Sequence, residues 1–187
     1  MSEIPQNTYP IQYIKPITLK DGTIVQLRPI HKDDGAKYED LAKYISDESM
    51  YNRFLGVVKL TDKQIEKFTQ LDYSKEMAIV AEVLSNDQKQ IIGIARLAAD
   101  EYNTAEMAIT IIDNWHGQGL GKLLTHYILK IGKELGYKTI TARVFESNKA
   151  MIKILDQAEF VLKQEDKNVL FGRLDFEDEF QFFALNW

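Results

Sequence analysis

The chain is predicted to fold as a mixed α/β (α+β) domain, a mostly antiparallel central sheet of about six to seven strands flanked by about four helices. Three observations predict it. Residues 77–83 and 90–97 are apolar, strand-like runs joined by the turn residues Ser85-Asn-Asp87, and a third strand begins at Ala105, which makes an antiparallel meander. Leu120, Leu123, Leu124, Tyr127, Ile128, Ile131 and Leu135 recur at helical spacing, with Gly136 where a glycine commonly follows a helix. Between meander and helix, Asp113-Asn-Trp-His-Gly-Gln-Gly-Leu-Gly-Lys122 sets glycines at every second position.

The elements follow in order. Residues 1 to 20 read as an arm, because Pro5, Pro10 and Pro16 oppose regular structure; Asp21-Gly22 then turns into a first strand at residues 23–29. Asp33 or Asp34 caps a helix reaching Ala42, a short helix follows near Ser46, and Thr61 is the N-cap of another. After the meander, the glycine loop and its helix, residues 139–145 supply a strand and Ser147-Asn148 starts a further helix. Strands at 160–164 and 169–176, around the turn Glu165-Asp-Lys-Asn168, complete a domain spanning residues 21–176. The closing segment, residues 177–187 with Phe180-Gln-Phe-Phe-Ala-Leu-Asn-Trp187, is too apolar for a free tail. It is expected to pack on the domain or on a partner chain, a homodimer being one such outcome.

Composition narrows the function classes. With 187 residues, 45% of them apolar, one domain can bury a core and a second does not fit. No run of about eighteen apolar residues occurs and the N-terminus lacks the parts of a signal peptide, so a cytoplasmic protein with no membrane partner is expected. Cysteine is absent, which excludes disulfides, thiolate nucleophiles and cysteine-based zinc sites. His31, His116 and His126 lack ligand spacing, so no metal is expected. A net charge of −5 and a pI near 5.3 argue against nucleic acid as a partner and permit a cationic substrate. Asp175, Glu177, Asp178 and Glu179 read as a solvated acidic segment.

The glycine loop carries the chemistry. Glycine lets the backbone approach a ligand closely, and the first N–H groups of the following helix have no intrahelical acceptor; with the positive end of the helix dipole they favour phosphate or diphosphate. A Walker A loop would need glycine at 116 and Ser or Thr after the lysine, whereas the chain has His116 and Leu123; a Rossmann fingerprint would need its third glycine at Lys122. Taken alone, the loop is equally a glycine-rich turn that binds nothing.

His116-Gly-Gln-Gly-Leu-Gly121 resembles the diphosphate loop, [Arg/Gln]-x-x-Gly-x-[Gly/Ala], of the GNAT superfamily of acyl-CoA-dependent N-acyltransferases. The strand at 139–145, Asn148 and the pair Glu159-Phe160 follow in that superfamily's order, and the resemblance runs from about Ile24 to Leu174. Leu27-Arg-Pro-Ile30, Ser49-Met-Tyr-Asn-Arg-Phe-Leu-Gly56, Phe68-Thr-Gln-Leu-Asp-Tyr73, Glu76-Met-Ala-Ile-Val-Ala81 and Ala105-Glu-Met-Ala108 are similar to the acetyltransferase domain of bacterial Pat-type protein lysine acetyltransferases. Three departures stand out. His116 replaces Arg or Gln, Leu155 stands where many members carry a tyrosine general acid, and Glu159 replaces the usual glycine.

The resemblance implies acetyl-CoA as co-substrate and an amine acceptor. A lysine amine with a pKa of about 10.4 is mostly ammonium at neutral pH, so its proton must be taken. Glu106 is the implied general base; it shares one strand face with Ala108 and Thr110, opposite Met107, Ile109 and Ile111. A backbone N–H of Ile111 or Ile112 is the implied oxyanion donor. Gly117, Gln118, Gly119, Leu120, Gly121 and Lys122 would hold the diphosphate, with His116 as a further donor. Asn148 would contact the pantetheine arm, cap its helix, or do both. Tyr51, Arg53, Asp72 and Tyr73 fall in matching segments near the substrate side; packing is favoured for the tyrosines, and Asp72, with Tyr73 beside it, is the candidate for attracting an amine. The expected activity is acetyl transfer from acetyl-CoA to a protein lysine; the alternatives are a small amine acceptor and a noncatalytic acyl-CoA sensor.

Overall fold

A computed structural model of the chain describes residues 8–74, 76–85, 88–100 and 103–176. Among these residues eight strands form one sheet: β1 Lys15–Thr18, β2 Ile24–Pro29, β3 Glu76–Ser85, β4 Gln88–Ala99, β5 Thr104–Ile111, β6 Thr139–Phe145, β7 Val161–Asp166 and β8 Val169–Asp175. Their spatial order is β1-β2-β3-β4-β5-β6-β8-β7. Neighbours pair antiparallel except β5 and β6, which run parallel. The α-helices are α1 Gly35–Lys43, α2 Asp47–Phe54, α3 Asp62–Thr69, α4 Leu120–Glu134 and α5 Lys149–Gln157. The apolar segment 177–187 lies outside the described residues.

Local chemistry sets the helix ends. Thr61 and Gln64 form a capping box at α3, Ser46 accepts the Ser49 N–H at α2, and Asn148 accepts the Met151 N–H at α5. Beyond α4 the chain turns at Gly136, whose φ of 88° suits glycine. Glu159 performs the same turn after α5 at φ 65°, so the departure from glycine retains the backbone conformation in a residue that adopts it with strain of about 1–2 kcal/mol.

The arm is corrected. Residues 15–18 form β1, which pairs with β2 from Lys15↔Leu27 to Thr18↔Ile24 and adds an eighth strand. Pro16 is tolerated because β1 lies at the sheet edge, where a missing N–H breaks no ladder. Burial of Tyr13, Ile17 and Leu19 holds the segment down. The segment near Ser46, expected as a short helix, is the eight-residue α2.

Leu97 on β4 faces α4, since a Cβ on Gly132 would lie 2.9 Å from its Cδ1. Its neighbour Arg96 donates to the Phe68 carbonyl of α3. Side chains alternate along a strand, so α4 and α3 cover opposite faces of the sheet. Leu120, Leu124, Ile128 and Leu129 of α4 are almost wholly buried, as are Ile79, Ile92 and Leu97 of the sheet. The helix that follows the glycine loop is therefore fixed by the core.

Candidate active site

The site begins where two parallel strands part. Asp100 N–H bonds to the Thr104 carbonyl (2.8 Å) and Ile112 N–H to the Ile92 carbonyl (3.1 Å). Such pairs recur at every second residue of an antiparallel ladder, so the even-numbered positions of this stretch turn their backbone groups toward β4 and the odd-numbered ones turn theirs toward β6. The β5–β6 register extends from Thr104↔Thr139 only to Glu106↔Thr141. Past that point the N–H groups of Ile109 and Ile111 face a widening gap. The gap opens into a cleft of about 1190 Å³, lined by β5, by β6, by the loop after β5 and by parts of α2 and α5.

This geometry separates the two residues expected as oxyanion donors by where their N–H groups point. Ile112 is corrected, because its N–H is spent on Ile92. Ile111 keeps an N–H on the cleft side, while its carbonyl accepts a hydrogen bond from His116 Nε2 at 2.9 Å. That bond also commits one ring nitrogen of His116 to the backbone, leaving Nδ1 as the nitrogen open to a ligand.

The loop fits a diphosphate. Gly117 and Gly119 have φ of 76° and 86°, and a Cβ at either would enter open space rather than meet protein. The first bond of α4 runs from Leu123 N–H to the Gly119 carbonyl (3.0 Å), so the N–H groups of Leu120, Gly121 and Lys122 precede the helical ladder. Lys122 itself lines the cleft. Leu120 is fully buried and offers a ligand only its backbone, while Gln118 ties the loop by donating its side-chain amide to the Asn114 carbonyl (3.0 Å). Gly119→Ala places a side chain at positive φ and tilts these donors. It is expected to weaken acetyl-CoA binding about tenfold, or 1.4 kcal/mol, in a calorimetric titration; an unchanged Kd would remove Gly119 from the cradle.

Asp113 anchors the loop to the helical layer. Its N–H bonds to the Tyr44 carbonyl (3.1 Å) and its Oδ2 accepts the Ser46 N–H (3.2 Å). Burial works to raise its carboxyl, but hydrogen bonds from Ser46 and Ser49 outweigh it and hold the group below the usual carboxylate range. Asn148 lines the cleft and caps α5 with its side-chain oxygen at 3.1 Å from Met151 N, so the cap leaves its amide NH₂ for a ligand.

Glu106 sits in the cleft, its side chain 45% exposed. One oxygen, Oε1, lies 3.2 Å from Nη1 of Arg143 on β6. Arg143 Nε in turn lies 3.0 Å from both carboxylate oxygens of Glu165 on β7. Burial alone would lower the Arg143 guanidinium, but the charges of Glu106 and Glu165 hold it above its ordinary value, so it is a fixed cation. Arg53 and Arg96 line the same cleft; Arg96 bonds Glu76 at 2.9 Å, and Arg53 lies over the Phe54 ring.

Two further expectations are corrected. Tyr73 is buried, with its hydroxyl donating to the Ile30 carbonyl, so it is a core residue. Asp72 is outside the cleft lining and accepts the Ser74 N–H at 3.1 Å, which makes it part of a turn. Leu155 is fully buried and turned into the core; on that turn of α5 the cleft-facing residue is Ile154. A proton donor at position 155 would not face the cleft at all. Tyr51 stacks on Phe145 at 5.0 Å and 9°, bridging α2 to β6, as a packing role requires. Among the described residues no group of three or more His, Asp or Glu side chains is arranged to hold a metal ion.

Comparison with known proteins places this geometry. The family model described as the acetyltransferase (GNAT) domain matches residues 25–161. An acetyltransferase of Pseudomonas aeruginosa is 29% identical over 136 residues, covering 72% of this chain and 73% of that protein. Acetyltransferase Pat of Mycolicibacterium smegmatis is 28% identical over 162 residues, which cover 86% of this chain and 48% of Pat, so the chain spans about half of that relative's length. The crystal structure of the GNAT domain of S. lividans PAT superposes with a TM-score of 0.82 at 25% identity, covering 90% of this chain and 100% of that domain.

Proposed function

The chain belongs to the GNAT acetyltransferase family, whose chemistry is acyl transfer from acetyl-CoA, and on that premise we propose that it acetylates a primary amine by direct attack, with Glu106 as general base and a protein lysine as the acceptor. The observation that carries this reading is the Glu106 carboxylate in the cleft, with Oε1 on Arg143 and its other oxygen open to a proton. Acetyl-CoA supplies the activated thioester. The N–H groups from Leu120 to Lys122, the Lys122 ammonium and the Asn148 amide would hold its diphosphate and arm, and the free N–H groups of Ile109 and Ile111 lie along the gap as further donors. Glu106 accepts the acceptor's ammonium proton, directly or through one water, and so delivers a neutral amine. That amine attacks the thioester carbonyl, the N–C bond forms as the C–S bond breaks, and CoA leaves as the thiolate, which takes up the proton lost by the new amide nitrogen.

The lysine acceptor rests on the similarity to Pat-type domains, and a net charge of −5 supports a cationic partner. A cytoplasmic location is proposed with this reading. The test is mass spectrometry of acceptors after incubation of the purified protein with acetyl-CoA, with lysine-bearing proteins in one arm and polyamines, amino acids and aminoglycosides in the other. Acetylated lysines are expected in the first arm. Acetylation confined to the second arm would replace the acceptor, and saturable acetyl-CoA binding with no product in either arm would replace catalysis with sensing.

A further inference from the structure

The carboxylate assigned as base is not loose, and the side chains that hold it are not among the site residues that the sequence singles out. Arg143 sits two residues beyond Thr141, the β6 partner of Glu106, and so on the same sheet face, just where the two strands part. Its guanidinium is braced twice. Nε meets both oxygens of Glu165 at 3.0 Å, and the group lies over the Phe171 ring at 5.4 Å, Phe171 being its cross-strand partner on β8. Glu165 falls at the register shift between Gln164 and Asp166, a bulge of the kind that re-aims a side chain. Nη1 is thereby presented to Oε1 of Glu106 at 3.2 Å.

We propose that Arg143, braced by Glu165 and Phe171, is a positioning residue that fixes the Glu106 carboxylate in the cleft with one oxygen held and the other free for the acceptor's proton. The inference rests on the reading of Glu106 as general base. A half-exposed glutamate at a strand would otherwise sample several rotamers, and a misplacement of about 1 Å in a reacting group costs as much as 10²-fold in rate. The brace also limits how Arg143 can act. With Nε given to Glu165, Nη1 is the nitrogen that meets Oε1 of Glu106, and the lone pairs of the other oxygen stay available for the proton. No bond is made or broken by Arg143 itself. The proton passes from the acceptor ammonium to Glu106.

A double-mutant cycle separates positioning from mere structure. Arg143→Gln is expected to lower kcat about tenfold with the KM for acetyl-CoA and the melting temperature nearly unchanged, because Arg143 is part-exposed and away from the glycine loop. In a Glu106→Gln background the same substitution is expected to change kcat less than twofold, since there is no base left to position. An equal loss in both backgrounds would overturn the inference while leaving Glu106 as base. Full turnover in Glu106→Gln alone would overturn both. Should Arg143→Gln fold poorly, Arg143→Lys runs the same cycle: it keeps the charge but cannot hold Glu165 and Glu106 together.

Discussion

Glu106→Gln is expected to lower kcat by about 10²–10⁴-fold while leaving acetyl-CoA affinity within about twofold of the parent. The magnitude follows from what the carboxylate does. At neutral pH the acceptor amine carries a proton that must leave before or during attack, and glutamine has no lone pair basic enough to take it. The selectivity follows from where the carboxylate sits. It lies at the point where β5 and β6 part, whereas the diphosphate cradle is formed at the start of α4, eleven or more residues later in the chain and fixed by its own core contacts. The substitution is also structurally mild. Glu106 is half-exposed, the glutamine amide oxygen still accepts a hydrogen bond from Arg143, and Arg143 keeps the charge of Glu165. Unfolding is therefore not an alternative explanation for a loss of turnover, and a melting curve run beside the assay checks it. A mutant with parental kcat would remove Glu106 from the mechanism.

What could be read in the sequence, and what could not, divides by range of interaction. The caps at Thr61 and Asn148, the turn at Gly136 and the open loop from Gly117 to Gly121 are local. Each is set by a few consecutive residues, and the structure places each where spacing predicts. The meander of β3, β4 and β5 was equally legible, because alternation and turn residues define it. Pro16 misleads for a definite reason: proline forbids a ladder position only when its N–H would be needed, and sequence does not reveal that β1 is an edge. Leu155 against Ile154 is a matter of phase, since one residue turns a helix by about 100° and so exchanges cleft for core. Ile112 against Ile111 is the strand counterpart, decided by which member of an alternating pair bonds to β4. Arg143 had no signal at all. Its contact with Glu106 depends on the parallel register of β5 and β6 and on a bulge in β7, both set by tertiary pairing.

Replacing Arg28 by Met should give the largest loss of stability, about 3–5 kcal/mol, because it removes the cation from between two buried carboxylates. Arg28 on β2 forks onto Asp34 at 2.6 and 2.9 Å and reaches Glu82 on β3 at 2.8 and 3.3 Å, with Lys37 of α1 adding a contact to Glu82 at 2.6 Å. Asp34 is tied further by accepting the His31 N–H at 2.7 Å. The side chains of Asp34 and Glu82 are only 6% and 2% exposed, so neither charge is repaid by water when its partner goes. The cluster also predicts an acid response. Burial would raise the Glu82 carboxyl, but the bonds from Arg28 and Lys37 prevail and bring it from 4.5 to about 2. A carboxyl lowered in the folded state stabilises the fold fully above its unfolded value near 4.5 and loses that contribution as pH falls toward 2, here about 3 kcal/mol. Denaturant midpoints taken between pH 5 and pH 2 should therefore fall steeply for the parent and less steeply for Arg28→Met, whose Glu82 has already lost its main partner. A variant that loses under about 1 kcal/mol at pH 7, or that keeps the parent's acid slope, would show that Lys37 and the surrounding backbone hold these carboxylates without Arg28.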